Sequence, residues 1–411
     1  VKRLLVLGAG TAGTMVVNRL RPKLDEGEWT ITIVDEEEIH YYQPGFLFIP
    51  FGALDPADVV KATREFVHDG VEVVHAGVEL VDPENNTVTL ADGRTLEYDE
   101  LVIATGTRTR PDQTEGLLES GWRDTIHDFY TFDGAVALHD KLRTWEGGRL
   151  VVNIMEMPFK CPVAPMEFSF LADAFFREKG MRDRVELVYV TPLDAVFTKP
   201  IAAEHLSHLL DEKGVHVETD FYVEHVEPGK LVSYDEREVP FDLLVTIPVH
   251  MGAEFVAKSG LGDELNHVPV DKHNFQSKKF ANVWAIGDAA DLPTSKAGSV
   301  AHFSVDVFAV NFVEHVHGRP MPEKFDGHAI CFVETGNDKG LMIDFNYETE
   351  PLPGKYPIPK IGPFSLLEES KINHMGKMAF RWAYWNVLLP GRPMPMPAHL
   401  TMAGKYQSEG A

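Results

Sequence analysis

The sequence has 411 residues, with 38 Lys and Arg against 63 Asp and Glu, giving a formal net charge of −25. Such an acidic chain repels phosphate backbones, which excludes a nucleic-acid role, and its length permits two or three domains with an ample core. Two cysteines are too few for a disulfide scaffold, no apolar run approaches the ~18 residues of a membrane span, and the start VKRLLVLGAG lacks the pattern of a signal peptide.

In chain order, Lys2–Leu7 reads as a buried parallel strand. Gly8-Ala9-Gly10-Thr11-Ala12-Gly13 follows, then helical spacing over Thr14–Leu20 and a strand Thr30–Val34 that ends at Asp35. Strand, G-x-G-x-x-G turn, helix, strand and terminal acid together form the dinucleotide fingerprint. Gly8 makes the tight turn, Gly10 admits a pyrophosphate to the backbone, Gly13 lets helix and strand pack, and Asp35 accepts from a ribose. FAD and NAD share this pattern, so later segments must decide between them. Tyr42-Gln43-Pro44-Gly45 places backbone beside a flavin ring. Val71–Asp82, which includes Val78, reads as two short strands, and Thr87–Tyr98 as a hairpin about Asp92-Gly93. Tyr98–Gly106 is a buried strand ending in Ala104-Thr105-Gly106.

A second α/β unit follows. Its first strand, Arg149–Ile154, should carry another Gly-rich turn if a second nucleotide bound there. Instead it runs into Met157-Pro158-Phe159-Lys160-Cys161-Pro162, with a helix from about Pro165 to Lys179. The next strand, Val185–Val190, ends at Thr191-Pro192, so the ribose-binding acid is absent too. Proline also lacks the N–H that a phosphate cradle uses. Both features argue against a nicotinamide nucleotide. Downstream, the strand in Asn282–Ala290 ends at Gly287-Asp288, and a helix begins near Ser299. His328–Gly336 is a strand carrying Cys331. No histidine spacing suits a metal, and none is expected. Residues 370–408 hold five Lys or Arg and no Asp or Glu. With Trp382, Tyr384 and Trp385 in the helical stretch Met375–Leu389, this segment reads as lying in an anionic membrane interface, with a dimer contact or an amphipathic helix packed on the body as the alternative.

The N-terminal fingerprint, the Thr105-Gly106 strand and the Gly287-Asp288 strand resemble the flavoproteins with two dinucleotide-binding domains. That resemblance implies an α/β fold of two Rossmann-like domains plus a C-terminal membrane-associating segment. Residues 1–110 and 270–325 then bind FAD, 111–269 form a degenerate second domain, and 326–411 form the C-terminal region. It assigns FAD contacts to Gly8, Gly10, Thr11, Ala12, Gly13, Asp35, Pro44, Val78, Ala104, Thr105, Gly106, Gly287, Asp288 and Lys296. Lys296 has two roles open to it, stabilising a negative flavin or sitting solvated at the surface. Lys160-Cys161-Pro162-Val163-Ala164-Pro165, the segment Pro293–Gly298 and Cys331 narrow the resemblance to the sulfide:quinone oxidoreductases, in a branch with two cysteines. The implied chemistry is sulfide oxidation to polysulfide by a Cys161/Cys331 relay, with FAD passing electrons to quinone. We take Cys331 as persulfide carrier and Cys161 as the thiolate facing the flavin. Glu167 is either a proton acceptor or a helix-dipole acid. The implied partners are sulfide, quinone, a membrane surface through 370–405 and a possible second copy of the chain, at the cytoplasmic face of the cell membrane. Type II NADH:quinone reductase, flavocytochrome-c-like sulfide dehydrogenase and a sulfane-sulfur carrier without turnover are the competing functions.

Overall fold

The computed structural model describes residues 1–394 and 396–406; Pro395 and residues 407–411 of the C-terminal region lie outside the described residues. The uninterrupted Val, Ile and Leu runs form strands covered on both faces. They build two parallel five-stranded sheets, and the α/β class follows. The first sheet is ordered Val283–Ala285, Glu100–Ile103, Lys2–Leu7, Trp29–Asp35, Glu72–His75. The late strand Val283–Ala285 pairs beside Glu100–Ile103, so Gly287-Asp288 emerges at the carboxyl end of the sheet with the Gly-rich turn. Open parallel sheets bind their ligands at that end. The second sheet is ordered Ile126–His127, Leu243–Ile247, Gly148–Ile154, Val185–Val190, Val215–Glu218.

A third, mixed sheet contains Ala329–Gly336, Lys339–Phe345, Gly362–Leu366 and Gly354–Ile358. Two helices pack on its first strand: Ala164–Glu178, which follows the Cys161 turn, and Lys371–Ala383. This sheet therefore carries Cys331 toward the second unit rather than away from it.

The C-terminal helix corrects the sequence reading. It starts at Lys371, four residues before the expected Met375, with the Ser370 side chain capping the Asn373 N–H, and it closes in a π-helical turn over Tyr384–Leu388. Trp382 is 66% exposed, but Tyr384 and Trp385 are buried, against His40, Tyr42 and Phe66. Two residues along a helix rotate a side chain by about 200°, so an inward Tyr384 accompanies an outward Trp382. Three of the five basic residues are paired with acids of the body, while Lys371 and Arg392 are exposed. Lys377 pairs with buried Glu167, Arg381 with Asp58, and Lys405 with buried Asp344. Three of the five charges of the tail thus neutralise particular acids of the body.

Tyr384 ties this tail to the Gly-rich turn. His40 Nδ1 donates to the Ala9 carbonyl at 3.2 Å, which leaves Nε2 to accept from the Tyr384 hydroxyl at 2.6 Å; the Tyr384 oxygen in turn accepts from Thr11 Oγ1 at 2.7 Å. Each donor has one acceptor when His40 is neutral. Tyr384→Phe should cost about 1–3 kcal/mol in urea denaturation, because His40 Nε2 is left buried and unpaired. Burial lowers the His40 pKa from 6.5 to about 4. The folded state therefore binds fewer protons than the unfolded one, so this stabilisation is complete above about 6.5 and is lost as pH falls toward about 4. His40→Gln should flatten the acid limb of the stability curve in that window; an acid limb of unchanged slope would show that His40 does not set it.

Candidate active site

The Gly-rich turn meets the three steric demands of a nucleotide cradle. Gly8 has φ +99°, and a Cβ there would strike the Ala104 backbone at 2.6 Å; a Cβ on Gly13 would strike the Gly8 carbonyl at 1.8 Å. Gly10 faces open space instead. The first amides of the helix Thr11–Leu20 have no intrahelical acceptor and point toward that space. Asp35 takes the Ala9 N–H at 2.6 Å and the Glu37 N–H at 2.9 Å, and Val78 begins the strand just beyond the register partner of Asp35, His75. Along the same crevice, Gly106 and Gly298 also face open space, and the buried Thr105 Oγ1 and Thr107 Oγ1 have no partner among the described residues. Gly287, at φ +68°, packs against Ala12, and the Asp288 carboxylate makes no hydrogen bond among the described residues. Unfilled space, free amides and orphaned hydroxyls in one row fit FAD. Thr11 is an exception, since its hydroxyl is taken by Tyr384.

The row continues to the cysteine turn. Pro44 lies in the 3-10 turn Gln43–Leu47, and Gln43 Oε1 accepts from Lys160 Nζ at 3.0 Å. Lys296 is buried rather than solvated, and its ammonium donates to the carbonyls of Asp288 at 2.8 Å and Ala290 at 3.1 Å. Cys161 N–H donates to the Lys296 carbonyl at 2.7 Å, while the Cys161 carbonyl accepts from Ala164 N at 2.9 Å and Tyr130 Oη at 3.1 Å. Cys161 has φ +48°. A non-glycine residue in this left-handed region costs on the order of 1–2 kcal/mol. The turn therefore keeps a glycine-like backbone with a cysteine in it.

Cys331 comes to the same place on the strand Ala329–Gly336. Both cysteines are free thiols, deep in the fold yet retaining some accessible surface, as groups lining a crevice do. Burial, with the Glu167 charge adding to it, pushes the Cys161 thiol up to about 12. Burial raises Cys331 as well, and the nearby Cys161 is the next cause. Both are protonated at neutral pH in this reduced state.

Behind the thiols lies a set of buried charges. Glu167 Oε1 accepts from Lys377 Nζ and from the Glu334 N–H at 2.7 Å. Lys377 Nζ also donates to the Phe332 carbonyl at 2.9 Å. Burial works against the Lys377 ammonium, but Glu167, Cys161 and Glu334 together raise its pKa. Glu334 Oε2 accepts from His374 Nδ1 at 2.8 Å. Glu167 is a candidate from sequence, whereas Lys377 stands there only as one charge of a basic tail, and Glu334 and His374 are in no motif. A signal was present: His374, Lys377 and Arg381 share one helix face, opposite Ile372, Met375, Ala379 and Trp382.

Residues 2–152 match the family model of the pyridine nucleotide-disulphide oxidoreductases. The chain is 28% identical to the mitochondrial sulfide:quinone oxidoreductase of Dictyostelium discoideum, over 95% of this chain and 87% of that one. It is 27% identical to the mitochondrial sulfide:quinone oxidoreductase of Mus musculus, over 94% and 86%. The sulfide:quinone oxidoreductase structure from the hyperthermophilic bacterium Aquifex aeolicus shares the fold, with a TM-score of 0.80 at 21% identity over 95% of this chain and 92% of that one. The chain carries a pyridine nucleotide-disulphide oxidoreductase domain and, over nearly its whole length, is a relative of the sulfide:quinone oxidoreductases.

Proposed function

We propose that the protein oxidises sulfide to sulfane sulfur at Cys161 and Cys331 and delivers the electrons through FAD to a membrane quinone. One observation carries this reading: two cysteines 170 positions apart in sequence converge beside the end of the FAD crevice, and the turn that would bind a nicotinamide nucleotide is occupied by one of them. Residues 1–110 with 270–325 hold FAD, 111–269 present Cys161, and 326–411 present Cys331. FAD, when bound along Gly8–Gly13, Asp35, Thr105-Gly106 and Gly287-Asp288, supplies a two-electron acceptor that can return its electrons to quinone.

The chain's own residues do the sulfur chemistry. With the two cysteines joined through sulfur, hydrosulfide attacks one sulfur atom, the S–S bond breaks, and the new sulfur stays as a persulfide while the other cysteine leaves as thiolate. Persulfide is assigned to Cys331 and the thiolate to Cys161, whose turn is pinned to Lys296 and so to the Asp288 segment. The high thiol pKa values favour return to the neutral state, so a thiolate formed here persists only while it faces the ammonium of Lys377 or an electron acceptor. Lys296, buried and held by two carbonyls, is placed to favour negative charge on the cofactor.

The quinone and membrane part rests on an outward apolar face. Ile372, Met375, Ala379 and Trp382 lie at helical spacing on the side of the C-terminal helix away from Lys377, and all are exposed. Beside this helix the hairpin of the third sheet ends in Pro357-Ile358-Pro359-Lys360-Ile361, exposed throughout. An apolar stripe facing outward, with Lys377 and Arg381 on the opposite face in ion pairs, inverts the usual arrangement of a surface helix and suits the boundary layer of a bilayer.

Sulfide added anaerobically should bleach the flavin, and a soluble quinone should restore its colour; rapid oxidation of NADH with no response to sulfide would reject the activity. Cys161→Ser and Cys331→Ser should each lower sulfide-dependent quinone reduction about 10³-fold or more, roughly 4 kcal/mol of barrier, and near-normal turnover in either variant would remove the relay. Alkylation of Cys161 in the reduced protein should accelerate about tenfold per pH unit from pH 7 to 10, because only the thiolate reacts; a plateau near pH 8 would contradict the raised value. Replacing Ile372, Met375 and Trp382 together by Ser should weaken partition into phospholipid vesicles by roughly 100-fold or more, since each buried side chain contributes about 1.5–3 kcal/mol. Unchanged partition, or loss of self-association in its place, would assign the stripe to something other than lipid.

A further inference from the structure

Oxidising sulfide leaves a proton to be moved, and the buried charges behind the thiols form a line from that proton's origin to solvent. The inference rests on the proposed activity. Sulfide enters as HS⁻. Its sulfur bonds to a cysteine sulfur, one S–S bond breaks, and two electrons pass to FAD. The proton that HS⁻ brought is then left among the thiols, where burial holds Cys161 and Cys331 at high pKa.

Glu167 is the charged group that most affects Cys161, and its Oε2 atom is buried without a partner among the described residues. Its other oxygen meets Lys377, whose ammonium lies between Glu167 and the Phe332 carbonyl and feels Glu334. Glu334 repeats the arrangement: Oε2 is bonded to His374, and Oε1 is buried without a partner among the described residues. His374 is the most exposed group of this line, with its side chain 24% exposed against 13% for Lys377 and Nε2 3.9 Å from the exposed Asp338 carboxylate. Cys331 faces the line from the third sheet, Tyr42 from the FAD-binding unit and Tyr130 from the second unit.

A helix anchored for stability alone would gain from pairing all four carboxylate oxygens, because an unpaired buried acceptor costs about 1–3 kcal/mol. Here each carboxylate keeps one oxygen open, as a group that must accept and release a proton requires. Burial also raises the Glu334 pKa, which brings it toward the range where a carboxyl can hold a proton in passing. We propose that Glu167, Lys377, Glu334 and His374 form a proton path between the buried thiols and solvent, with His374 as its outer port. The proton moves from sulfur to Glu167, crosses the gap between the Lys377 ammonium and the Glu334 carboxylate, which share no hydrogen bond among the described residues, and leaves through the His374 imidazole. No electrons travel on this route.

The test is anaerobic stopped-flow reduction of the bound flavin by sulfide in the full-length holoprotein, with re-oxidation by quinone measured separately. His374→Ala should slow bleaching at saturating sulfide about tenfold or more without changing the sulfide concentration at half-saturation, and free imidazole should restore the rate. Glu334→Gln, which keeps shape and hydrogen bonding, should be slowed to a similar degree and gain nothing from imidazole, because an inner link is broken. An infrared difference spectrum between sulfide-reduced and oxidised protein should contain a carboxyl band that Glu334→Gln removes, and this measurement serves even where His374→Ala does not fold. Rates within about twofold of wild type in Glu334→Gln, a His374→Ala defect that imidazole leaves untouched, or the absence of any Glu334-dependent band would each overturn the path. A wild-type flavin that sulfide leaves oxidised rejects the proposed activity itself; normal bleaching with insensitive variants rejects only the path.

Discussion

The contact on which this architecture turns is the buried ion pair of Glu167 and Lys377. Glu167 belongs to the helix after the Cys161 turn, Lys377 to the C-terminal helix, and the Glu334 N–H that shares Glu167 Oε1 belongs to the Cys331 strand. Three segments far apart in sequence meet at one oxygen. The side chain of Glu167 is fully buried and that of Lys377 nearly so, and desolvating two charges costs several kcal/mol each unless geometry and hydrogen bonds compensate. The Phe332 carbonyl and the Glu334 amide supply that compensation. An apolar pair of equal volume could hold the helices together as well or better. Charge retained here instead places a cation within reach of both thiols, which burial alone would keep neutral.

The same logic runs through the rest of the tail. Lys405 is fully buried on Asp344, which also bonds His328, and Tyr384 closes the Thr11–His40 chain at the Gly-rich turn. Asn18, on the helix of that turn, donates to the Leu389 carbonyl and accepts from the His68 N–H. The C-terminal segment is thus fastened to the thiol sheet at Lys377 and Lys405 and to the FAD-binding unit at Tyr384 and Leu389. What it presents outward is the residue left after those attachments are made: an apolar stripe and few free charges.

What could be read directly from sequence was whatever depends on neighbours a few residues apart. The strand–turn–helix about Gly8–Gly13 and the strands ending at Gly106 and Gly287 have local causes, and Lys2–Leu7 was delimited to the residue. The absence of a nucleotide turn after Ile154 was equally local. The meeting of Cys161 with Cys331 was inferable only through a resemblance, because no periodicity brings residues 170 apart together. Glu167 with Lys377 and His40 with Tyr384 were illegible for the same reason. The tail misled in a more instructive way. Amphipathic spacing tells that a helix has two faces, not which one meets the protein. The usual assumption sends the apolar face inward, and counting charges sends the lysines to the surface; here Ile372, Met375 and Trp382 face out and Lys377 faces in, while Tyr384 and Trp385 are buried and Lys371 is exposed.

That reversal and the strained turn at Cys161 have one explanation. A left-handed conformation is easy for glycine and costly for cysteine, so a thiol would be lost from this position unless its side chain were needed in that direction. The direction is set by Lys296, whose carbonyl takes the Cys161 amide and whose ammonium grips the Asp288 turn. Moving Cys161 to an extended conformation would break that bond. The strain is held by the helix that starts at Ala164, which is in turn locked by Glu167 to Lys377. The inward lysine of the tail is therefore part of what keeps the cysteine in a glycine's place, and a tail folded with its charges outward would leave the turn free to relax.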